Sequence, residues 1–223
     1  SYSFSQTTNV ASQVTSGGTL SAQAGKAGTG DLVVAGSKLA SGDKMLLKAV
    51  DELVIASAQN TSTSSYSSSN KGTWSSKTLD KTANSSSVVK SELKSGDDMS
   101  LESSDGGVTI KASKLESGGS VRLESASGEI ALLTDTSSSY SQERKTGSNV
   151  VWQSTRDKGN ADQIVEHTEI TATGAIQVIA AQGIRVEYRD TGNVGDSITQ
   201  LAKQPGLAWM DQLRSDPKVN WQA

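Results

Sequence analysis

The chain has no cysteine, one phenylalanine, two prolines and one histidine in 223 residues. Without cysteine there are no disulfide staples, no thiolate metal sites and no cysteine nucleophile. A single His167 leaves no second histidine for a metal site and no cysteine partner for a triad, so its expected role is structural or solvent-facing. Positive charge is not in excess either: 21 Lys and Arg stand against 24 Asp and Glu, for a net charge of −3. No broad field attracts phosphate, and nucleic acid is not an expected partner. No apolar run approaches the roughly 18 to 20 residues that span a bilayer, and the opening SYSFSQTTNVASQ lacks the regions of a signal peptide. The chain reads as an internal fragment. Core material is scarce as well, with 43 Leu, Ile, Val and Phe against 38 Ser, 20 Thr and 21 Gly. Such a composition borders on disorder, but disorder also requires a large net charge, so the arrangement of the apolar residues decides.

What is present is repetition. One motif occurs as SQVTSGG at Ser12, SKLASGD at Ser37, SELKSGD at Ser91, SKLESGG at Ser113 and, more loosely, TEITATG at Thr168. Its central residues Val14, Leu39, Leu93, Leu115 and Ile170 are separated by 25, 54, 22 and 55 positions, so a short step alternates with a long one inside a unit of 76 to 79 residues. Internal periods of this kind indicate a repeat architecture. Within the short step, apolar residues alternate as in strands: Met99 and Leu101, Val108 and Ile110, Val121 and Leu123, Ile130 and Leu132. Equivalent pairs recur after 22 residues, with Gly-rich corners between them. A chain that returns to the same place each step pairs every strand in parallel with its predecessor, about 4.8 Å away. The predicted fold is therefore an all-β, right-handed parallel β-helix, its handedness resting on the resemblance described below. Inward positions are aliphatic, and outward Ser, Thr, Lys and Glu form ladders. If nearly all the chain coiled, there would be about 8 to 10 rungs at this spacing.

The long steps carry extra residues at about 57–87 and 134–164. Each contains a Tyr, a turn-forming centre and a Trp: Tyr66, NKG at Asn70 and Trp74, then Tyr140, KTGSN at Lys145 and Trp152. They read as protruding β-hairpins whose aromatics face one another across the strands, the alternative being disordered serine-rich loops. Tyr66, Trp74, Tyr140 and Trp152 are accordingly the candidate binding residues. The coil is assigned to residues 1–191 and a short C-terminal helical segment to 192–223, with Asp196 as N-cap, Pro205 as interruption and Leu207, Met210 and Leu213 on one face. That segment either covers the last rung or begins a following domain.

The tandem S-x-L-x-S-G units, the Ser/Thr-rich intervals and the ending ITQLAKQPGLAWMDQLRSDPKVNWQA resemble the haemagglutinin-repeat region of two-partner-secretion exoproteins. The likeness is to contact-dependent growth inhibition effectors (CdiA-like) and to filamentous haemagglutinin. It covers roughly Val10 to Tyr188 and the tail. The resemblance implies a right-handed coil secreted to the bacterial cell surface through an outer-membrane transporter of the two-partner system. It further implies a monomeric rod within a longer chain, part of a fibre that presents a C-terminal toxin and helps deliver it to the envelope or receptor of a neighbouring cell.

No catalytic residue, cofactor or metal ligand is predicted. Asp97, Asp98, Glu102, Asp105, Glu116, Glu124 and Glu129 lie in corners and outward positions, where a glycosidase would need two carboxyl groups about 5 to 10 Å apart in a cleft. A solvated charged face is the expectation. GKAGTGDLVV from Gly25 is similar to a calcium-binding nonapeptide but occurs once, without tandem copies. Three readings follow: a non-enzymatic delivery segment, an adhesin gripping a receptor through hairpin aromatics, and a carbohydrate-active β-helix.

Overall fold

The computed structural model describes residues 1–26, 29–149, 151–190 and 192–223. Ala27 and Gly28 of the calcium-like stretch, and Thr191 at the expected domain boundary, lie outside the described residues. The chain divides into two units: residues 1–9, 59–88 and 136–164 form one, and residues 10–58, 89–135 and 165–223 the other.

Strand β1 (Tyr2–Thr7) belongs to the first unit, although the sequence assigned it to the coil. The second unit then winds in turns of three short strands. These are β2 (Gln13–Ser16), β3 (Leu20–Ala24) and β4 (Leu32–Ala35), followed by β5 (Lys38–Ser41), β6 (Met45–Ala49) and β7 (Leu53–Ala56). The chain leaves as β8 (Ala58–Lys71) and returns as β9 (Ser75–Val89). Two more turns follow, β10 (Glu92–Ser95), β11 (Met99–Ser103) and β12 (Val108–Lys111), then β13 (Lys114–Ser117), β14 (Val121–Ser125) and β15 (Ile130–Leu133). A second excursion runs through β16 (Asp135–Asn149) and β17 (Gln153–Glu166) before the turn of β18 (Glu169–Ala172), β19 (Ile176–Ala180) and β20 (Ile184–Glu187).

First, second and third strands of successive turns stack into three parallel sheets, so the fold is the all-β parallel β-helix expected. The repeat motif falls in one column: Val14 pairs with Leu39, Leu39 with Leu93, Leu93 with Leu115 and Leu115 with Ile170. Five three-stranded turns form, fewer than full coiling would give, because the excursions build a separate sheet. Met45, Leu47, Leu53, Leu101, Ile110, Leu123 and their neighbours are fully buried in the bore. Each such side chain contributes roughly 1.5–3 kcal/mol by leaving water. Since side chains alternate strictly, a one-residue slip would turn all of them outward.

Serine is not confined to the outside. Ser91, Ser95, Ser103, Ser113, Ser117 and Ser125 are buried, correcting the expectation that aliphatics alone line the interior. They sit at corners, where carbonyls are not consumed by the ladders. Ser91 Oγ donates to the Ala56 carbonyl at 2.6 Å, Ser117 Oγ to that of Asp97 at 2.7 Å and Ser125 Oγ to that of Gly106 at 2.8 Å. A buried carbonyl without a donor costs about 1–3 kcal/mol, which explains why the motif places serine on both sides of its leucine.

The third corner differs between turns. At Gly36 and Ala112 the backbone takes a left-handed conformation, φ 52° and 39°, and continues directly into the next turn. At Ser57 and Thr134 it departs instead into an excursion. Outside, charges form the expected ladders: Lys38 pairs with Glu92 at 2.9 Å and Lys48 with Glu102 at 2.7 Å, each between adjacent turns. Exposed pairs of this kind add only about 0–1 kcal/mol each, and their value lies in opposing a shifted register.

The C-terminal segment packs on the last turn. Helix α1 (Val194–Leu201) is capped by Asn193, whose side chain accepts the Asp196 amide, so Asp196 is not the N-cap. Asn193 has the extended backbone a cap requires, and Asp196 lies inside the first turn. Pro205 falls between α1 and the short α2 (Trp209–Leu213). The tail expected to be helical ends as a strand, β21 (Val219–Gln222), paired in parallel with β20. Ile170 donates its amide to Gly206, and Trp209 is buried with Leu207, Met210 and Leu213 in the common core.

The first unit is a five-stranded sheet in the order β1, β8, β9, β16, β17. Strands β8 and β9 are joined through residues 72–74, where the Gly72 amide donates to Ser75 at 2.7 Å. Strands β16 and β17 are closed by reciprocal bonds between Asn149 and Trp152. The excursions are thus ordered hairpins. KTGSN, read as a turn centre, lies within β16 and pairs with β9, and the turn falls after it.

Candidate binding face

Two strand pairings in the first unit have a defined antiparallel register: Tyr2 opposite Tyr66 between β1 and β8, and Lys81 opposite Glu143 between β9 and β16. Because side chains alternate, Lys77, Leu79, Lys81 and Ala83 share a face with Ser141, Glu143, Lys145 and Gly147, while Asp80, Tyr140, Gln142 and Arg144 share the other. On the first face lie two open grooves. One, of about 640 Å³, is lined by Tyr2, Tyr66, Lys81, Glu143, Lys158 and Asn160, among others. The second, about 540 Å³, includes Asn70, Lys77, Leu79, Lys145 and Arg156 and no acidic residue. Glu143 receives Lys81 at 2.8 Å and Lys145 at 2.6 Å, and these lysines hold its carboxyl down at about 2.

The sequence-derived binding residues are not brought together. Tyr66 lines the larger groove, whereas Tyr140 lies on the opposite face and donates its hydroxyl to Gln142 at 2.8 Å. Trp74 and Trp152 stand at the two hairpin turns, 73% and 74% exposed. The expected facing of aromatics across the strands does not occur: among the described residues the one ring pair is Tyr188 with Trp221, 6.2 Å apart in the coil unit. Tyr66 finds Tyr2 opposite it instead, and the hairpin turns leave each Trp beyond the paired strands. The groove cations were missed, although Lys77-x-Leu79-x-Lys81 and Arg156-x-Lys158 already place them on one side of any strand.

In the coil, the outward carboxylates are occupied. Asp98 accepts the Ser120 amide at 2.9 Å and pairs with Lys44 at 3.3 Å, which together hold its pKa below the usual range. Partial burial pushes Glu102 upward, but hydrogen bonds from Lys48 and Ser100 outweigh it and the net shift is downward. Glu116 is lowered chiefly by the hydrogen bond from Lys114. A catalytic general acid needs the opposite shift. No cluster of three or more potential metal ligands occurs among the described residues.

His167 lies buried at the corner where β17 leads into β18. Its Nε2 accepts the Arg189 amide at 3.2 Å, while Lys90 bonds Glu166 at 3.0 Å and Glu169 at 2.5 Å beside it. Burial, and then the Lys90 charge, lower its pKa, so the folded state holds the imidazole neutral. A depressed histidine pKa contributes stability that is complete above the unfolded value, near 6.5, and is lost as pH falls towards the folded value. Melting temperature is expected to drop between about pH 7 and pH 5, before carboxylates titrate, and the drop to shrink in His167→Gln, as followed by circular dichroism. Parallel pH profiles for the two proteins would show that the imidazole is not responsible.

A family model described as hemagglutinin repeat matches residues 2–78 and again 72–161. Each match begins at or just before a returning hairpin arm or its turn, passes through two turns of coil and ends in the next hairpin, so the family's unit is the long repeat rather than the single rung. No curated protein and no solved structure matches the chain. The chain belongs to the haemagglutinin-repeat family, a structural, non-enzymatic family of secreted cell-surface proteins.

Proposed function

We propose that this chain is a non-enzymatic segment of a secreted bacterial surface fibre that presents a C-terminal toxin and helps deliver it to neighbouring bacteria by contact-dependent growth inhibition. Its partners in this reading are the outer-membrane transporter of a two-partner system and the envelope or a receptor of the target cell. The observation that carries the reading is the junction. Haemagglutinin repeats run directly into the ITQLAKQPGLAWMDQLRSDPKVNWQA tail, and that tail is packed against the last turn through Trp209 and β21. A module that ends a coil in this way supports a further domain without exposing strand edges.

A second reading, an adhesin, is favoured by the exposed Trp74 and Trp152 at the hairpin turns. One experiment separates the two. Residues 59–135 form one long repeat, so deleting them from the full gene joins β7 to the second hairpin with the coil's order preserved. The deleted protein is expected to reach the surface, by immunoblot of intact cells, and to attach to target cells, yet to lose killing of targets in co-culture. Undiminished killing refutes the delivery role; loss of attachment together with killing selects the adhesin reading. Against a carbohydrate-active reading stand the lowered carboxyl groups of Asp98, Glu102 and Glu116.

A further inference from the structure

The charge on the antiparallel sheet is distributed unlike that of the whole chain. The protein carries a net −3, but the two grooves on one face are lined by Lys77, Lys81, Lys145, Arg156 and Lys158 against the single carboxylate of Glu143. All five cations are exposed. Glu143 spans two of them, fixing Lys81 and Lys145 in the floor, while Lys77, Arg156 and Lys158 have no ion pair among the described residues. Cations held on neighbouring strands with nothing of opposite sign between them repel one another, a cost that a bound anion removes. The rest of the lining is hydroxyl and amide: Ser68, Asn70, Ser141, Ser154 and Asn160 each offer donors and acceptors in the same grooves. Tyr2 and Tyr66 lie opposite each other in register at one end, both exposed and both groove-lining. Their rings supply flat apolar surface with a polar tip.

We propose that this face of the sheet is a binding site for an anionic polysaccharide, its acidic groups held by Lys77, Arg156 and Lys158 and its sugar rings packed on Tyr2 and Tyr66. The grooves are open troughs rather than closed cavities, which suits a polymer crossing several strands. Hydroxyl and amide walls match sugar hydroxyls, each of which both donates and accepts. Charge spacing argues against a nucleic acid. Lys77 and Lys81 are four residues apart on β9, about 13 Å at 3.3 Å per residue. A single nucleic-acid strand carries a phosphate every 3.4 Å or so of axis. The site is independent of toxin delivery and would stand if that role failed.

The test uses the 223-residue chain and three fluorescent probes: dextran sulfate, unmodified dextran and a single-stranded oligonucleotide. Dextran sulfate is expected to bind and to be weakened by salt, since exposed charges are screened over about 8–10 Å at physiological ionic strength. Reversing two unpaired cations, Lys77→Glu with Arg156→Glu, should weaken it by about tenfold or more. Lys203→Glu, on the C-terminal segment, makes the same charge change away from the sheet and should leave binding as it was. Arg156→Gln with Lys158→Gln, both on the outermost strand β17, gives a milder pair should the first not fold, and melting curves verify each protein. Equal loss in Lys203→Glu, no loss in either groove variant, comparable binding of unmodified dextran, or tighter binding of the oligonucleotide would each overturn the assignment.

Discussion

Trp209→Ala is expected to destabilise the coil by about 3–5 kcal/mol, the range for truncating a large buried aromatic. Trp209 is 1% exposed, and its indole Nε1 donates to the Thr168 carbonyl at 3.3 Å. It belongs to the same buried cluster as Ile170, Leu207, Met210 and Leu213, so the side chain closes the open end of the bore rather than decorating it. Removing it would leave a cavity at the last turn and free the Thr168 carbonyl, while loosening the contact through which Gly206 receives the Ile170 amide. Denaturant unfolding followed by circular dichroism measures the loss, and hydrogen exchange should locate it in β18–β20 before the inner turns. Trp209→Phe, which keeps most of the volume and loses the N–H, should lie between alanine and the parent. A loss under about 1 kcal/mol, the level of an ordinary surface change, would mean that the tail does not close the coil.

The second large effect concerns two glycines in the same motif position. A Cβ added to Gly96 collides with the carbonyl of Gly42 in the turn before, and one added to Gly118 collides with the carbonyl of Gly96. Gly17 begins the column and has nothing within 4 Å of such an atom. Gly96→Ala must therefore force adjacent turns apart, an overpacking expected to cost about 3 kcal/mol. Gly17→Ala meets open space and is expected to be neutral or to stabilise by about 0.4–1 kcal/mol through the unfolded chain. Thermal melts of the two variants side by side read the difference directly. Equal effects would show that the glycines serve chain flexibility rather than close approach of turns.

The contrast also shows how much was legible. The S-x-L-x-S-G repeat announces itself because coil packing is nearly one-dimensional: each turn meets only its neighbours, so the same chemistry must recur at the same step. Leu39, Leu93 and Leu115 could be stacked from spacing alone, and the structure stacks them. The hairpins were placed within two residues by the same logic. Their internal order was not. Nothing local says that β9 pairs with β16, partners some 50 to 75 residues apart, or that KTGSN is strand rather than turn. Burial of Ser95 and Ser117 was missed because hydroxyls read as surface until the carbonyl that each one satisfies is known.

By itself, the order of residues determined the period, the inward aliphatic column, the two excursions and the change of character near Gly192, since all of these are patterns along the chain. Which strands meet was decided only in three dimensions. That includes β1 joining the hairpin sheet, β21 adding to β20, Asn193 rather than Asp196 capping α1, and five cations gathering on one face around Glu143. The physical reason is that alternation states which side of its own strand a residue occupies, whereas the neighbour it meets there depends on hydrogen bonds made to a distant part of the chain.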